Sequence, residues 1–269
     1  MDLGLIDKTS DLLVNSHHTI VLTGAGISTE SGVPDFRSPG GIWERYDPTV
    51  FFYSRFLSEP DEVWRCVMDM SRCGDFPLWE AQPNRGHLAL AHLEEMGHIK
   101  TIITQNIDNL HQKAGSRKVI EFHGNMLFAK CITCGARYEY DHVLKIADIS
   151  LPPLCDCGGI LKPDAVFFGE AIPKEALTES FRSAEDCDLM LVIGTSAQVE
   201  PAASLPLIAK GMNTLFRGFM NVPIPKSHCH VVEINREPTP LTGEVSDFII
   251  QGSAGEVLAT LEEYVHRKT

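Results

Sequence analysis

The stretch "VLTGAGISTESGVPDFR", Val21 to Arg37, decides how the rest of the chain is read. An apolar run, Thr19-Ile20-Val21-Leu22, reads as a buried strand. Gly24 and Gly26 follow where a tight turn and the close approach of a pyrophosphate need residues without side chains. The third glycine of that fingerprint is absent, because Thr29 stands in its place and Gly32 arrives three residues late. Pro34-Asp35-Phe36-Arg37 then stops any helix and adds a tail that a simple phosphate turn does not require.

Outward from this turn, apolar runs alternate with amphipathic ones. Ile20–Thr23, Ile99–Thr104, Val119–Phe122, Leu189–Ile193, Val231–Ile234 and Phe248–Ile250 read as strands buried on both faces. Helical periodicity falls at Leu5–Asn15, His87–Met96, Ala202–Lys210 and Ala254–His266. The order predicts an α/β fold, a Rossmann-like parallel sheet with helices on both faces, and ligand binding at the carboxyl ends of its strands. Two stretches break the rhythm: 38–85, rich in aromatics and prolines, and 125–163, which carries clustered cysteines. They are expected to pack together as a smaller zinc-ribbon and helical module, leaving 1–37, 86–124 and 164–269 as the nucleotide-binding domain.

The 269 residues suffice for one large domain with an inserted module, and 43% hydrophobic with 22% charged residues is ordinary globular composition. Neither a leader pattern nor an apolar run of membrane-spanning length is found, so a cytoplasmic location is expected. A formal charge of −13 argues against direct nucleic-acid binding and mildly favours basic or cationic partners. No membrane binding is expected.

Of eight cysteines, four form two close pairs, Cys131-Ile-Thr-Cys134 and Cys155-Asp-Cys157. Two pairs bracketing a short loop supply the four corners of a closed tetrahedral zinc site, which is structural because no position is left for water. The second pair is one residue short, but side chains at i and i+2 of an extended segment point the same way, and Gly158-Gly159 lets the chain turn off. The alternative is four ordinary thiols. Cys66, Cys73, Cys187 and Cys229, scattered in sequence, read as ordinary thiols too.

The strand exits carry the chemistry. Gln105, Asn106 and Asp108 end one strand, where they serve either as ligand contacts or as a helix cap. His123 leaves the next run before a glycine; a histidine there can act as general base, though elsewhere a lone histidine is more often a satisfied polar residue. Gly194-Thr195-Ser196 and Asn235 end two more strands and suit phosphate or ribose, and "GSAGE" ends the last. Small or polar residues at five exits point to one extended ligand.

These motifs in this order resemble the sirtuins, NAD-dependent protein-lysine deacylases: Gly24-Ala25-Gly26-Ile27-Ser28, Ser31-Gly32-Val33-Pro34-Asp35-Phe36-Arg37, Thr104-Gln105-Asn106-Ile107-Asp108, His123-Gly124, the cysteine pairs, Phe168-Gly169-Glu170 and Gly194-Thr195-Ser196. The resemblance runs through nearly the whole chain and accounts for the Pro34–Arg37 tail. In that family it belongs to a mobile loop that covers the nicotinamide ribose.

The resemblance implies NAD as co-substrate, one structural zinc ion, acetylated lysine-containing proteins or peptides as partners, and nicotinamide and O-acyl-ADP-ribose as products. The acyl oxygen attacks C1′ of the ribose, and His123 as general base activates a ribose hydroxyl. Asn106 joins His123 as catalytic, and Asn106 and Asp108 orient the ribose and the nicotinamide amide. Gly24, Ala25, Gly26, Ser28, Asp35, Phe36, Arg37, Gln105, Ile107, Gly194, Thr195, Ser196, Asn235 and Ala254 are implied to bind the dinucleotide. Val166, Phe167, Phe168 and Gly169 are implied to pair with the substrate backbone. Members that prefer succinyl-lysine carry a tyrosine and, three residues on, an arginine, and those positions fall at about Val67 and Met70 here. Neither can pair a carboxylate, which implies a preference for neutral acyl groups, with Met68 and Met70 offering a roomier apolar pocket. A mono-ADP-ribosyltransferase using the same cofactor bond and a non-catalytic NAD-sensing module are the competing readings. The stretch Gly211 to His228 is long for a helix–strand connection, and its Leu215-Phe216 and Phe219-Met220 pairs suggest local packing.

Overall fold

Six short apolar runs assemble into one parallel sheet. The computed structural model describes residues 1–212 and 229–269, so the Leu215-Phe216 and Phe219-Met220 expectation lies outside the described residues. In chain order the first elements are α1 (Leu3–Asn15), β1 (Thr19–Thr23), α2 (Ile42–Arg45), α3 (Tyr53–Ser58), α4 (Pro60–Arg72), α5 (Arg85–Glu95) and β2 (Thr101–Thr104). There follow α6 (Leu110–Lys113), β3 (Val119–Glu121), β4 (Gly124–Cys131), β5 (Arg137–Glu139), α7 (Tyr140–Ala147) and β6 (Leu161–Ala165). The chain closes with α8 (Lys174–Asp186), β7 (Leu189–Ile193), α9 (Leu205–Ala209), β8 (His230–Asn235), β9 (Phe248–Gln251) and α10 (Ala254–His266).

The sheet order is β3-β2-β1-β7-β8-β9, all parallel. Strand order reverses between β1 and β7, so the crevice at their carboxyl ends is where a ligand is expected. Alternating side chains enter two cores. Val21, Ile102, Leu191 and Val232 pack against α1, α5 and α10, while Ile20, Leu22, Ile103, Met190 and Val192 pack against α8 and α9.

Caps set the helix starts. Asp2 Oδ1 accepts the Gly4 and Leu5 amides at the head of α1, and Asn84 caps α5 in a reciprocal box with His87. Periodicity misses α8, because the positions it buries are Ser180, Ser183 and Ala184 rather than large apolar residues. The single helix expected over Ala202–Lys210 is instead a 3-10 turn, Ala202–Ser204, followed by α9.

A third core belongs to the module. β5, β4 and β6 form a small antiparallel sheet against which α4 and α7 bury Trp64, Val67, Tyr140 and Val143. Trp64 is fully buried and its Nε1–H donates to Leu161 O at 2.8 Å, tying α4 to β6. β4 and β6 reach Gly124 and Ala165, a residue or two across the expected domain boundaries. Cys187 and Cys229, far apart in sequence, stand with sulfurs 3.4 Å apart where β7 and β8 begin.

Candidate active site

The carboxyl ends of β1, β2, β7 and β8 open into one cavity of about 1030 Å³, at the upper end of the roughly 300–1,000 Å³ usual for small-ligand sites. Its floor is the turn after β1. Gly24 N–H donates to Ile193 O at 3.0 Å and Gly26 N–H to Gly194 O at 2.8 Å, so the 3-10 turn Ala25–Ile27 lies directly on the exit of β7. A Cβ on Gly26 would sit 2.8 Å from Gly194 Cα, and one on Gly194, at φ 60°, would sit 2.5 Å from Ile27 N. These glycines therefore allow two strand exits to touch, in addition to any approach of a phosphate. That close packing, more than a third glycine, shapes this turn.

Asn106 and its supports lie at the base of the cavity. Asn106 Nδ2–H donates to Gly24 O and Ser28 Oγ, both at 3.1 Å, and Ser28 Oγ–H donates to Asp108 Oδ2 at 2.6 Å. Ser28 and Asp108 are buried and stand behind Asn106 rather than on the cavity wall. Burial raises the Asp108 carboxyl, opposed chiefly by the Ser28 hydroxyl. Behind them lies a layer that motif reading did not assign. His87 meets Ser28 Oγ through Nε2 at 3.5 Å, and His111 Nε2 meets Thr23 Oγ1 at 3.0 Å. Thr23 spends its own proton on Thr104 Oγ1, so His111 is the donor to it, and the two imidazoles meet edge to face at 4.9 Å. Desolvation pulls His87 down to about 4 and His111 well below the ordinary histidine value, so both are neutral at pH 7.

His123 lines the cavity at the end of β3. Its Nδ1 lies 3.1 Å from Gln105 O; a carbonyl only accepts, so Nδ1 carries the proton and Nε2 keeps a free lone pair. Burial lowers its pKa, with the Gln105 bond opposing. A neutral imidazole presenting Nε2 is the form that takes up a proton.

The wall away from the sheet comes from the module. Asp35 Oδ1 accepts the Arg37 and Ser38 amides at 3.0 and 2.8 Å, which bends the loop so that Phe36 packs on Trp43 and Phe76. Val67 and Met70 of α4 reach the cavity with Phe51, Phe76, Trp79 and Met126. Met68 is buried but does not line it. Arg65 and Arg72 face solvent, paired with Asp61 and Asp148. Apart from Phe36, the aromatics of this wall were visible in sequence only as an unassigned aromatic-rich stretch.

Gly24, Ala25, Gly26, Asp35, Phe36, Arg37, Gln105, Asn106, Ile107, His123, Gly194, Thr195, Ser196, Asn235 and Ala254 are thus brought to one cavity, together with Val166, Phe167, Phe168 and Gly169. Gln105 Nε2 donates to Thr195 Oγ1 and Asn235 Nδ2 to Thr195 O, both at 3.0 Å, so three strand exits form one wall. α10 starts at this wall, but the Glu30 carboxylate already accepts the Gly255 amide at 2.9 Å and offsets part of that helix end's positive field. Arg236, unflagged in sequence, lines the same end. The segment expected to pair with substrate is partly engaged already: Phe168 N–H donates to Phe51 O, and Phe168 O accepts from Tyr53 N–H, both at 2.9 Å.

The four clustered cysteines converge outside the cavity. All four sulfurs lie within 4.8 Å of one another, with Cys131–Cys157 and Cys134–Cys155 at 3.6 Å, near the edge of about 3.8 Å that a tetrahedron with Zn–S bonds of about 2.3 Å requires. The Thr133 and Cys134 amides point at Cys131 Sγ, Tyr138 Oη lies 3.1 Å from Cys155 Sγ, and a Cβ on Gly159 would lie 2.7 Å from Cys131 Sγ. The shortened pair closes a fitting site, with amide and hydroxyl donors supporting its thiolates. Among the described residues no helix is long and apolar enough to cross a membrane.

A model of the Sir2 family matches residues 24–201. The NAD-dependent protein deacylase 2 of Pyrobaculum aerophilum is 45% identical over 263 residues, covering 97% of this chain and 96% of that protein. The NAD-dependent protein deacetylase of Sulfurisphaera tokodaii is 42% identical over 264 residues, covering 98% and 97%. A solved Sir2 structure with p53 peptide and NAD+ superposes with a TM-score of 0.82 at 39% identity, over 98% of each chain.

Proposed function

The chain belongs to the Sir2 family, and from that premise we infer how its cavity works as an NAD-dependent protein-lysine deacylase. The observation that carries the reading is His123, neutral, with Nε2 free at a cavity that joins strand exits to an aromatic channel. Bound NAD would supply an electrophilic ribose carbon with nicotinamide as leaving group, so that an acyl-lysine, NAD and one water give lysine, nicotinamide and O-acyl-ADP-ribose.

The chain's own residues do the rest. His123 Nε2 takes the proton of a ribose hydroxyl, while Nδ1–H remains on Gln105 O and keeps the ring in its tautomer. Asn106, held by Gly24 O and Ser28 Oγ, orients the nicotinamide end, and Asp108 acts through Ser28. Gly24, Ala25, Gly26, Gly194, Thr195, Ser196, Asn235 and Ala254 receive the rest of the dinucleotide. Phe36 and the Asp35–Arg37 turn keep water from the reactive ribose carbon. Val166 to Gly169 take the peptide, and Cys131, Cys134, Cys155 and Cys157 hold one structural zinc that holds the module together.

The same proposal includes the division into a nucleotide-binding domain and a module built from 38–85 and 125–163, supported by their separate cores. It also includes a cytoplasmic location, supported by cysteines arranged as metal ligands, and a preference for neutral acyl groups over succinyl, supported by the apolar Val67 and Met70. Mass spectrometry of an acetyl-lysine peptide incubated with the protein and NAD tests the activity. Deacetylated peptide with O-acetyl-ADP-ribose is expected; ADP-ribosylated protein, or no change, overturns the reading.

A further inference from the structure

The bend after β6 is held from inside by a buried ammonium. Lys162 is 6% exposed, and its three N–H bonds go to Pro163 O at 2.8 Å, Ala165 O at 2.5 Å and Glu170 Oε2 at 3.1 Å. The same carboxylate oxygen accepts the Phe167 amide at 2.8 Å. The ammonium lies 4.3 Å from the centroid of the Phe167 ring, whose edges meet Phe51 and Phe56. Each of these contacts lies within 162–170 or on the module's aromatics. The bonds that join the cofactor exits, Gly24 N–H to Ile193 O, Gln105 N–H to Thr23 O and Gln105 Nε2 to Thr195 Oγ1, take no part.

Two carbonyls turned inward at a bend cost free energy unless a donor meets them, and a buried cation is tolerated only when its hydrogen bonds are complete. Lys162 and Glu170 meet both conditions at once. Their common product is a fixed position for Phe167, which lines the cavity, and for Val166, whose amide donates to His123 O at 2.8 Å.

We propose that Lys162, acting through Glu170, is a positioning residue for the acyl-lysine substrate: it sets the 165–170 bend and the Phe167 ring against which the acylated side chain seats, without itself touching substrate. The proposal rests on the deacylase reading of the cavity. It predicts a loss that falls first on the peptide, since the bend's link to a strand exit is the Val166 amide on His123 O and the Lys162 and Glu170 contacts do not include Gly24, Gln105 or Thr195.

The test uses the full chain and an acetyl-lysine peptide. Lys162→Met keeps stem length and removes the three donors. The Michaelis constant for peptide is expected to rise about tenfold or more, with that for NAD changed less than about twofold and kcat reduced less than the peptide constant rises. Lys162→Arg keeps the charge and donors and restores the peptide constant. Glu170→Gln keeps an acceptor for the Phe167 amide and gives a smaller rise than Lys162→Met. An unchanged peptide constant in folded Lys162→Met, or peptide and NAD constants that rise together, overturns the proposal. Should Lys162→Met fail to fold, an unchanged peptide constant in Glu170→Gln overturns it. Peptide binding read by fluorescence anisotropy, with no turnover required, separates this from failure of the deacylase reading. A parent that binds but does not turn over sinks that reading and leaves the Lys162 comparison intact, whereas a parent that does neither overturns both.

Discussion

His123 shows how one hydrogen bond sets a residue's role. Because Nδ1–H is committed to Gln105 O, the imidazole faces the cavity with an acceptor nitrogen, and burial keeps it deprotonated. His123→Ala is expected to cost about 10²–10⁴-fold in deacylation while NAD binding, measured calorimetrically, persists; near-normal turnover would contradict the assignment. The depressed pKa also moves the acid limb of kcat/KM. The base stays unprotonated below the ordinary histidine value of about 6.5, so activity should fall only as pH drops through a midpoint lower than that. A midpoint above 7 would show that burial does not control this group.

At the scale of an element, α4 decides what the pocket can reject. Its helical period turns Val67 and Met70 into the cavity and sends Arg65 and Arg72 to solvent, each with an acidic partner. No cation on α4 lines the cavity, and an acyl carboxylate there would lose hydration without gaining a partner. Comparing kcat/KM on one peptide bearing acetyl-, butyryl- or succinyl-lysine should rank both neutral groups above succinyl. Succinyl preferred over acetyl would mean that the register of α4, or the pocket argument built on it, is wrong. Reading these positions from sequence rested on the family's spacing, which put them at about Val67 and Met70. Met68, one step from a lining residue, was beyond that resolution: it is buried away from the cavity, and only the packing of α4 on the module decides so.

Across the whole molecule, stability is tied to a metal and to pH. A structural four-thiolate zinc contributes folding free energy, on the order of 10–16 kcal/mol in small finger peptides. Chelation should therefore unfold the β4–β6 sheet and the α4 and α7 helices packed on it, seen as lost near-ultraviolet dichroism from Trp64, Trp79 and Tyr140, which pack together there. A metal-free protein with that signal intact would contradict it. The buried histidines act through linkage. His87 titrates at about 4 when folded and near 6.5 when unfolded, so acidification protonates the unfolded chain first. Its contribution is complete above pH 6.5 and is lost as pH falls toward 4, by about 2 kcal/mol at pH 5. His111 adds in the same direction, and Asp108, whose carboxyl is raised, opposes. The thermal midpoint should drop between pH 6.5 and 5, and a flat midpoint over that interval would contradict the buried neutral pair.

What the sequence by itself determined is what short-range patterns carry. Continuous apolar runs announced six strands, of which the edge strands β3 and β9 are only partly buried, cysteine spacing announced a four-thiolate cluster, and the polar residues at strand exits announced most of the cavity's sheet side. Each of these depends on residues close in the chain, so periodicity and spacing suffice. Helix α8 escaped because it buries small and hydroxyl side chains. The connection from β8 to β9 gave no signal because the buried Glu233 is satisfied by Thr242 and Ser246 from that connection itself, at 2.7 and 2.6 Å. Only the tertiary structure decided that Gly26 and Gly194 meet backbone to backbone, that Ser28 and Asp108 stand behind Asn106, that His87 and His111 form a neutral layer beneath them, and that Lys162 Nζ meets the Pro163 and Ala165 carbonyls at the bend after β6. Those are contacts between residues tens to more than a hundred positions apart, or around a bend whose direction depends on what it packs against. Their energies arise from burial and from completed hydrogen bonds, which do not exist until the chain has folded.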